Sequence, residues 1–302
     1  MLLAAFAIPF PDIDPVLFRF EVFGVEFSLR WYALAYIAGL VLGWQVVKWL
    51  CRRDDLWGGR SPMAPVKTDD LLTWMVIGVI LGGRLGYTLF YQPAYYAENP
   101  AEILAIWRGG MSFHGGVIGV AAATAGFAWA NKVPVIRLGD AVAVAAPIGL
   151  FFGRLANFVN AELWGRPTTM PWGVIFPGPQ AQTCPEGWVG VCARHPSQLY
   201  QAFAEGLFAF GLLLWAATRW GWLRQPGQMI GLAMLTLGGA RFFVEFFRQG
   251  DPQFVSPENP WGLVIRFGEG IQSWGFTMGQ VLSVPLILLG IWLIARQRRV
   301  AA

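Results

Sequence analysis

Charge is what this chain has least of. Only 13% of its 302 residues are Asp, Glu, Lys or Arg, about half the roughly 25% usual in soluble domains, whereas 56% are hydrophobic. Lysine is scarcest, with Lys48, Lys67 and Lys132 the whole complement. Two histidines and three cysteines are present, and no Cys/His spacing resembles a metal site. Neither an internal repeat nor a low-complexity tract is visible. The apolar start at 1–10 has no basic residues before it and no A-x-A-like site after it, and Pro9, Pro11 and Pro15 interrupt it. It reads as an amphipathic lead-in, not a cleaved signal. Such a composition excludes an ordinary water-soluble domain and points to lipid as solvent.

What the chain has in abundance fits that solvent. Twenty-three Phe and sixteen Trp suit bilayer interfaces, where aromatic side chains concentrate. A bilayer core needs about 20 consecutive, mostly apolar helical residues. Runs of that kind occur at 31–50, 71–90, 113–130, 138–158, 199–217, 229–247 and 275–294, the fourth interrupted by Asp140, Pro147 and Arg154. The first, third and fifth connections and the tail hold twelve basic residues, against seven spread over the other, longer segments. Basic residues favour the inner side, so the net charge of +4 reflects topology, with no nucleic-acid partner. The expected fold is an all-α polytopic membrane protein of seven transmembrane helices, N-terminus outside and C-terminus inside. Residues 1–302 form one domain, with outer segments 160–198 and 248–277 as a small head. Loops of that length usually carry function. Cys184 and Cys192 share the first of these loops, on the oxidising side, and are candidates for a structural disulfide.

Three basic residues, Arg84, Arg154 and Arg241, fall inside expected spans. Each costs about 2.5–3.5 kcal/mol near mid-helix unless paired, snorkelled or functional. Counted from the ends of their spans at 1.5 Å rise per residue, all three lie about 6–9 Å below the outer boundary. His114 opens the third span at the same level, beside Gly115 and Gly116, which permit close approach of a backbone or a ligand. A histidine at a helix start is more often an interfacial residue than a catalyst. Tyr32 marks the outer start of the first span. Arg241, Glu245 and Arg248 follow at i, i+4, i+7 and share a helical face, so Glu245 is a counter-ion for Arg241. Arginine is also the side chain suited to bidentate grip on phosphate. Arginines converging at headgroup depth describe a site for an anionic lipid.

The fourth span ends Gly-Arg-Leu-Ala-Asn-Phe-Val-Asn-Ala-Glu-Leu-Trp-Gly over 153–165. This closely resembles the signature of the prolipoprotein diacylglyceryl transferases, G-R-x-[GA]-N-F-x-N-x-E-x-x-G, at every specified position. Arg30-Trp31-Tyr32, the segment 82–87, the glycine-flanked stretch around His114, the segment 194–200, the segment 241–248 and Met278-Gly279-Gln280 look like the same family, in the same order. The resemblance implies seven spans with an outer N-terminus in the bacterial inner membrane. One departure stands out: many members carry a tyrosine one turn before the sixth-span arginine, where this chain has Leu237.

The resemblance further implies the chemistry. The thiol of a lipobox cysteine in a prolipoprotein signal peptide attacks the diacylglyceryl carbon of phosphatidylglycerol, and glycerol phosphate leaves, with no metal or other cofactor. The thiol must ionise, since the thiolate is the nucleophile, and His114 is the candidate base because histidine exchanges protons near neutrality. Charge on the departing phosphate falls to Arg154 and Arg241, with Asn157 and Asn160 as donors. Glu162 and Glu245 hold the arginines, Gly165 lets the chain turn out of the membrane, and Tyr32 reaches the lipid headgroup. Arg84 and Arg248 are second choices for the same task. His195, before Pro196 at a loop–helix junction, has a structural or gating role. A lipid flippase or transporter is the competing class, and would be expected to show repeats or charges at mid-bilayer on both sides. A retinal-type photoreceptor is excluded, because all three lysines lie at inner ends or in loops.

Overall fold

The computed structural model describes residues 7–22, 25–185 and 188–300; the first six residues of the expected lead-in lie outside them. A long helix stands over each of the seven expected segments: α1 (Trp31–Cys51), α2 (Lys67–Phe90), α3 (Phe113–Ala130), α4 (Val135–Val159), α5 (Ser197–Arg219), α6 (Gln228–Val244) and α7 (Met278–Val300). Five of them, α1, α2, α4, α5 and α7, are long and apolar enough to cross a membrane, and α6 is a shorter apolar helix. It stops at Val244, short of the expected boundary at 247, so the turn from Glu245 to Arg248 lies past the helix end.

Strands are the correction to an all-α chain. β1 (Ile8–Pro9), β2 (Val16–Val22), β3 (Val25–Arg30), β4 (Val174–Ile175), β5 (Leu263–Phe267) and β6 (Trp274–Thr277) form three two-stranded sheets. β1 runs parallel to β4, while β2–β3 and β5–β6 are antiparallel hairpins. Residues 16–30 alternate apolar with polar at nearly every step, the period-2 signal of a half-exposed strand, which a search for continuous apolar runs passes over. Each hairpin leads straight into a helix, β3 into α1 and β6 into α7.

Glycine brings the helices together. A side chain at Gly82 would sit 2.7 Å from the Cα of Gly119, and one at Gly86 would sit 2.7 Å from the Cα of Gly115. With Gly78 they form the small-xxx-small pattern that lets two apolar helices touch backbone to backbone. Gly115 therefore serves the α2–α3 contact, while Gly116 faces open space. On the other flank, Gly39 of α1 meets Gly149 of α4, with 3.0 Å from a built Cβ to Cα.

The apolar core gathers at one end of the bundle. Leu50, Leu138, Leu213, Leu223 and Met229 are fully buried, and Trp57, from the α1–α2 connection, plugs the same end and donates from Nε1 to the Leu50 carbonyl at 2.9 Å. α4 continues through Pro147 without a break. Asp140, also fully buried, accepts the backbone N–H of Gly227 (2.6 Å) and of Ile230 (3.0 Å). Its carboxylate thus caps the N-terminus of α6 from the neighbouring helix, satisfying donors the helix itself cannot.

Candidate active site

At the other end of the bundle, the signature segment 153–165 forms the last turns of α4 and the exit from it. Arg154 and Asn157 stand one turn apart, and Arg154 Nη1 reaches Asn157 Oδ1 at 3.4 Å. The chain then folds back: Asn157 Nδ2 donates to Glu162 Oε1 at 2.7 Å, and Asn160 Nδ2 approaches the same oxygen at 3.5 Å. That reversal places Ala161 (φ 52°) and Leu163 (φ 55°) in the left-handed region, which residues with a side chain seldom adopt and which clusters at functional sites. The start of α5 holds the loop in place. Gln198 Nε2 donates to the Glu162 carbonyl at 2.7 Å and Ser197 Oγ to the Leu163 carbonyl at 3.1 Å. Gly165 is where three segments press together: an added Cβ would strike the Phe247 carbonyl oxygen and lie 2.7 Å from His195 Cβ.

Two ion pairs face each other across this end. Arg154 Nη2 lies 3.5 Å from Glu205 Oε2, on α5. Arg241 Nη2 lies 2.6 Å from Glu245 Oε1, which also takes Arg248 Nη1 at 3.0 Å, while Glu245 Oε2 accepts Thr277 Oγ1 at 2.8 Å. Arg248, Glu245, Glu205 and Arg154 are the charges that act on Arg241, so the pairs make up one cluster. The acids are its buried members, with side chains 5% (Glu205) and 3% (Glu245) exposed, whereas Arg154 and Arg241 are 16% and 27% exposed. The guanidinium groups, not the carboxylates, are presented to whatever approaches. Tyr32 stacks near Tyr36, ring centroids 5.1 Å apart, with Asn157 and Glu162 around its hydroxyl.

Among the described residues, four buried polar atoms without a hydrogen-bond partner belong to this region: Asn160 Oδ1, Gln198 Oε1, Gln201 Oε1 and Arg248 Nε. Buried polar groups are normally satisfied, and exceptions gather where a ligand or water is bound. Chemically, the arrangement offers two partly exposed guanidinium groups and amide donors against a buried, low-dielectric wall, which suits a phosphate oxyanion.

The remaining expected residues divide. Arg84 is buried and gives its hydrogen bonds to backbone carbonyls: Nε to Ile103 (2.8 Å), Nη1 to Gly109 (2.5 Å) and Gly110 (3.1 Å), and Nη2 to Glu102 (2.6 Å). It also lies over the Tyr96 ring, so it organises the α2–α3 connection. His114 is exposed in the first turn of α3. Arg248 is drawn to Glu245 and, more distantly, Asp251. Cys184 and Cys192 are joined in a disulfide, Cα atoms 5.9 Å apart.

In the loop above, Arg194 is the hub. It donates to the carbonyls of Ala181 and Thr183 (both 2.5 Å) and to Gln249 Oε1 (3.3 Å), and lies over Trp164 at 4.0 Å. Burial pushes its pKa down to about 10. His195 Nδ1 lies 3.1 Å from the Tyr200 hydroxyl, which accepts Trp172 Nε1 at 2.8 Å. The phenol proton is thereby directed at Nδ1, and burial together with Arg166 lowers the His195 pKa, favouring the neutral ring.

Glu205 is the residue that the sequence reading missed. An acid inside the apolar run 199–217 is as costly as an arginine, and counting the acids alongside the arginines finds it.

Comparison with known proteins identifies the family of the whole chain. The family model described as prolipoprotein diacylglyceryl transferase matches residues 15–296. A protein of Cereibacter sphaeroides named phosphatidylglycerol–prolipoprotein diacylglyceryl transferase is 55% identical over 97% of this chain and 99% of its own length. Proteins of the same name from Ruegeria pomeroyi (55% identical, 97% of this chain and 98% of the relative) and Methylocella silvestris (47%, with 96% of each) are also similar. The chain belongs to the prolipoprotein diacylglyceryl transferase family.

Proposed function

We propose that this protein transfers the diacylglyceryl group of phosphatidylglycerol to a prolipoprotein cysteine, the first step of lipoprotein lipidation. The thiolate sulfur attacks the glyceryl carbon that carries the phosphodiester oxygen. A carbon–sulfur bond forms, the carbon–oxygen bond breaks, and glycerol phosphate departs with the electron pair. Arg154 and Arg241 bind the phosphate and stabilise the charge that builds on it, the kind of preorganised stabilisation that dominates many enzymes. Asn157 and Asn160 supply further donors, Glu162 and Glu245 fix the geometry, and Tyr32 contacts the headgroup. His114 takes the thiol proton. Gly165 keeps the loop above the site closed against 247. Arg84 and Arg248 act at one remove, Arg84 by ordering the connection after α2 and Arg248 by sharing Glu245.

In this reading residues 1–302 form one integral unit of the bacterial inner membrane. All seven helices span it, the N-terminus is periplasmic and the C-terminus cytoplasmic. Segments 160–198 and 248–277 form a periplasmic head over a site in the outer-leaflet half. The acceptor is the signal peptide of the precursor, presenting its lipobox cysteine at that level.

The observation that carries the proposal is the convergence of Arg154 and Arg241 as the less buried members of ion pairs whose acids are buried. The test is transfer from labelled phosphatidylglycerol to a lipobox peptide by purified protein, with wild type beside Arg154→Ala. Cysteine-dependent labelling that falls by about 10²–10³-fold in the variant is expected for loss of a principal charge stabiliser. Equal labelling by both proteins removes Arg154 from the site, and none from folded wild type removes the reaction.

A further inference from the structure

The chemistry above gives no task to Glu205, although few groups in the molecule are placed at greater expense. It is 4% exposed, in the middle of an apolar helix, and its partners are Arg154 at 3.5 Å and Gln201 Nε2, which donates to Oε1 at 3.1 Å. The backbone around it is unusual. Ala202–Phe208 is a π-helical segment inside α5, a one-residue widening of the helix found mostly at functional sites.

The segment is also fixed against α4. A Cβ on Gly206 would lie 2.6 Å from Phe151 Cβ and 2.9 Å from Phe151 Cα, so only glycine allows the two helices to meet there. Phe151 and Arg154 are three residues apart on one face of α4. Contact at Gly206 therefore sets the preceding residue, Glu205, beside Arg154. About two turns earlier in α5, Gln198 grips the carbonyl of Glu162, continuing the same antiparallel register along the signature segment.

The two arginines of the site are held differently. Arg241 is clamped at 2.6 Å by a carboxylate that Arg248 and Thr277 also fix. Arg154 has two long contacts, 3.5 Å to Glu205 and 3.4 Å to Asn157. Long contacts aim a guanidinium without saturating it, and leave its donors to shorten onto an arriving anion. We infer that Glu205, set by the π-helical segment and Gly206, is the positioning residue that aims Arg154 at the substrate phosphate; this rests on the reaction proposed above. Glu205 touches neither substrate nor reacting atoms; it acts through Arg154.

The experiment compares wild type, Glu205→Gln, Gly206→Val and Arg154→Ala in detergent, with kcat, KM for phosphatidylglycerol and the melting midpoint read together. For Glu205→Gln, kcat should fall by about 10²-fold, the scale of a catalytic group misplaced by an ångström, with KM and the midpoint little changed. Gly206→Val, which alters no charge, should reproduce the kcat loss by pushing the segment off Phe151. Added to Arg154→Ala, Glu205→Gln should cost nothing more, since the two act as one unit. Should Glu205→Gln not yield folded protein, Glu205→Asp, which retracts the charge by one methylene, is read for the same loss of kcat at constant KM. Folded Glu205 variants with wild-type kcat overturn the inference, and so does a loss that multiplies with that of Arg154→Ala. A wild-type enzyme that transfers no label overturns the reaction as well, which separates the two failures.

Discussion

The two ends of the bundle are built on opposite terms. At the Trp57 end, leucines and a methionine from α1, α4, α5, α6 and the connections are fully buried, and the one buried acid, Asp140, is wholly engaged in capping α6. At the Arg154 end, polar side chains are buried beside small apolar ones: Asn157, Gln198, Gln201, Glu205, Glu245, Thr277 and Gln280, with Gln198 Oε1 and Gln201 Oε1 left unpartnered. Buried polar groups are poor sources of stability and easily costly. An end of this kind can exist only because the rest of the molecule holds it up. The difference separates residues that keep the protein folded from those proposed to carry the reaction, and substitutions at the two ends should fail in different assays.

The sharpest contrast is Arg241→Ala. Transfer should fall by about 10²–10³-fold while the melting midpoint in detergent stays close to wild type, because the arginine is among the more exposed groups of its cluster. A variant that loses activity only in proportion to folded protein breaks the contrast. Trp57→Ala should behave in reverse, losing about 3–5 kcal/mol of stability, as large core truncations do, with the kcat of the surviving folded enzyme unchanged. Asp140→Ala is smaller: it orphans one buried backbone donor, the Gly227 N–H, worth roughly 1–3 kcal/mol, while the Ile230 N–H is only part-buried, and thermal unfolding should register the loss while KM for phosphatidylglycerol does not move. The smallest effect belongs to pH. The His195 pKa is lowered in the fold, so the folded protein binds this proton less readily than the unfolded chain does. That contribution to stability is complete above the unfolded value of about 6.5 and diminishes as pH drops below it. Melting midpoints measured downward from neutrality should decline less in His195→Gln than in wild type; parallel curves would show that His195 plays no part in the decline.

The sequence marked the helices and the two arginines of the charged cluster for one physical reason: a lipid solvent makes both apolar length and stray charge conspicuous. Seven runs of the right length mark seven helices, and Arg154 and Arg241 stand out because arginine is expensive there. What stayed hidden depended on other signals. The hairpins 16–30 and 263–277 lie at helix starts, and the first is marked by alternation rather than by continuous hydrophobicity. Arg84 resembled its two partners in depth, yet its donors go to carbonyls of residues 102–110, and no pattern in the sequence announces which carbonyls will come near. Glu205 was hidden by a count of arginines alone. Its pairing with Arg154 also depends on a widened helical turn and on a glycine contact across two helices, neither of which has a periodic signature.

The grip of Arg84 has a consequence for how the chain is made. Synthesis delivers α2, with its arginine, before the carbonyls of Glu102, Ile103, Gly109 and Gly110 exist. Until those residues emerge, the guanidinium has none of the backbone partners it has in the finished fold, and an unpartnered arginine is what a membrane rejects most strongly. The glycine-lined contact with α3 and the Arg84 clasp are completed by the same stretch of chain. With both helices spanning as proposed above, α2 and α3 would enter the bilayer together, as a hairpin fastened at its tip, and ribosome-bound chains halted before residue 102 should leave α2 extractable where chains halted after α3 do not.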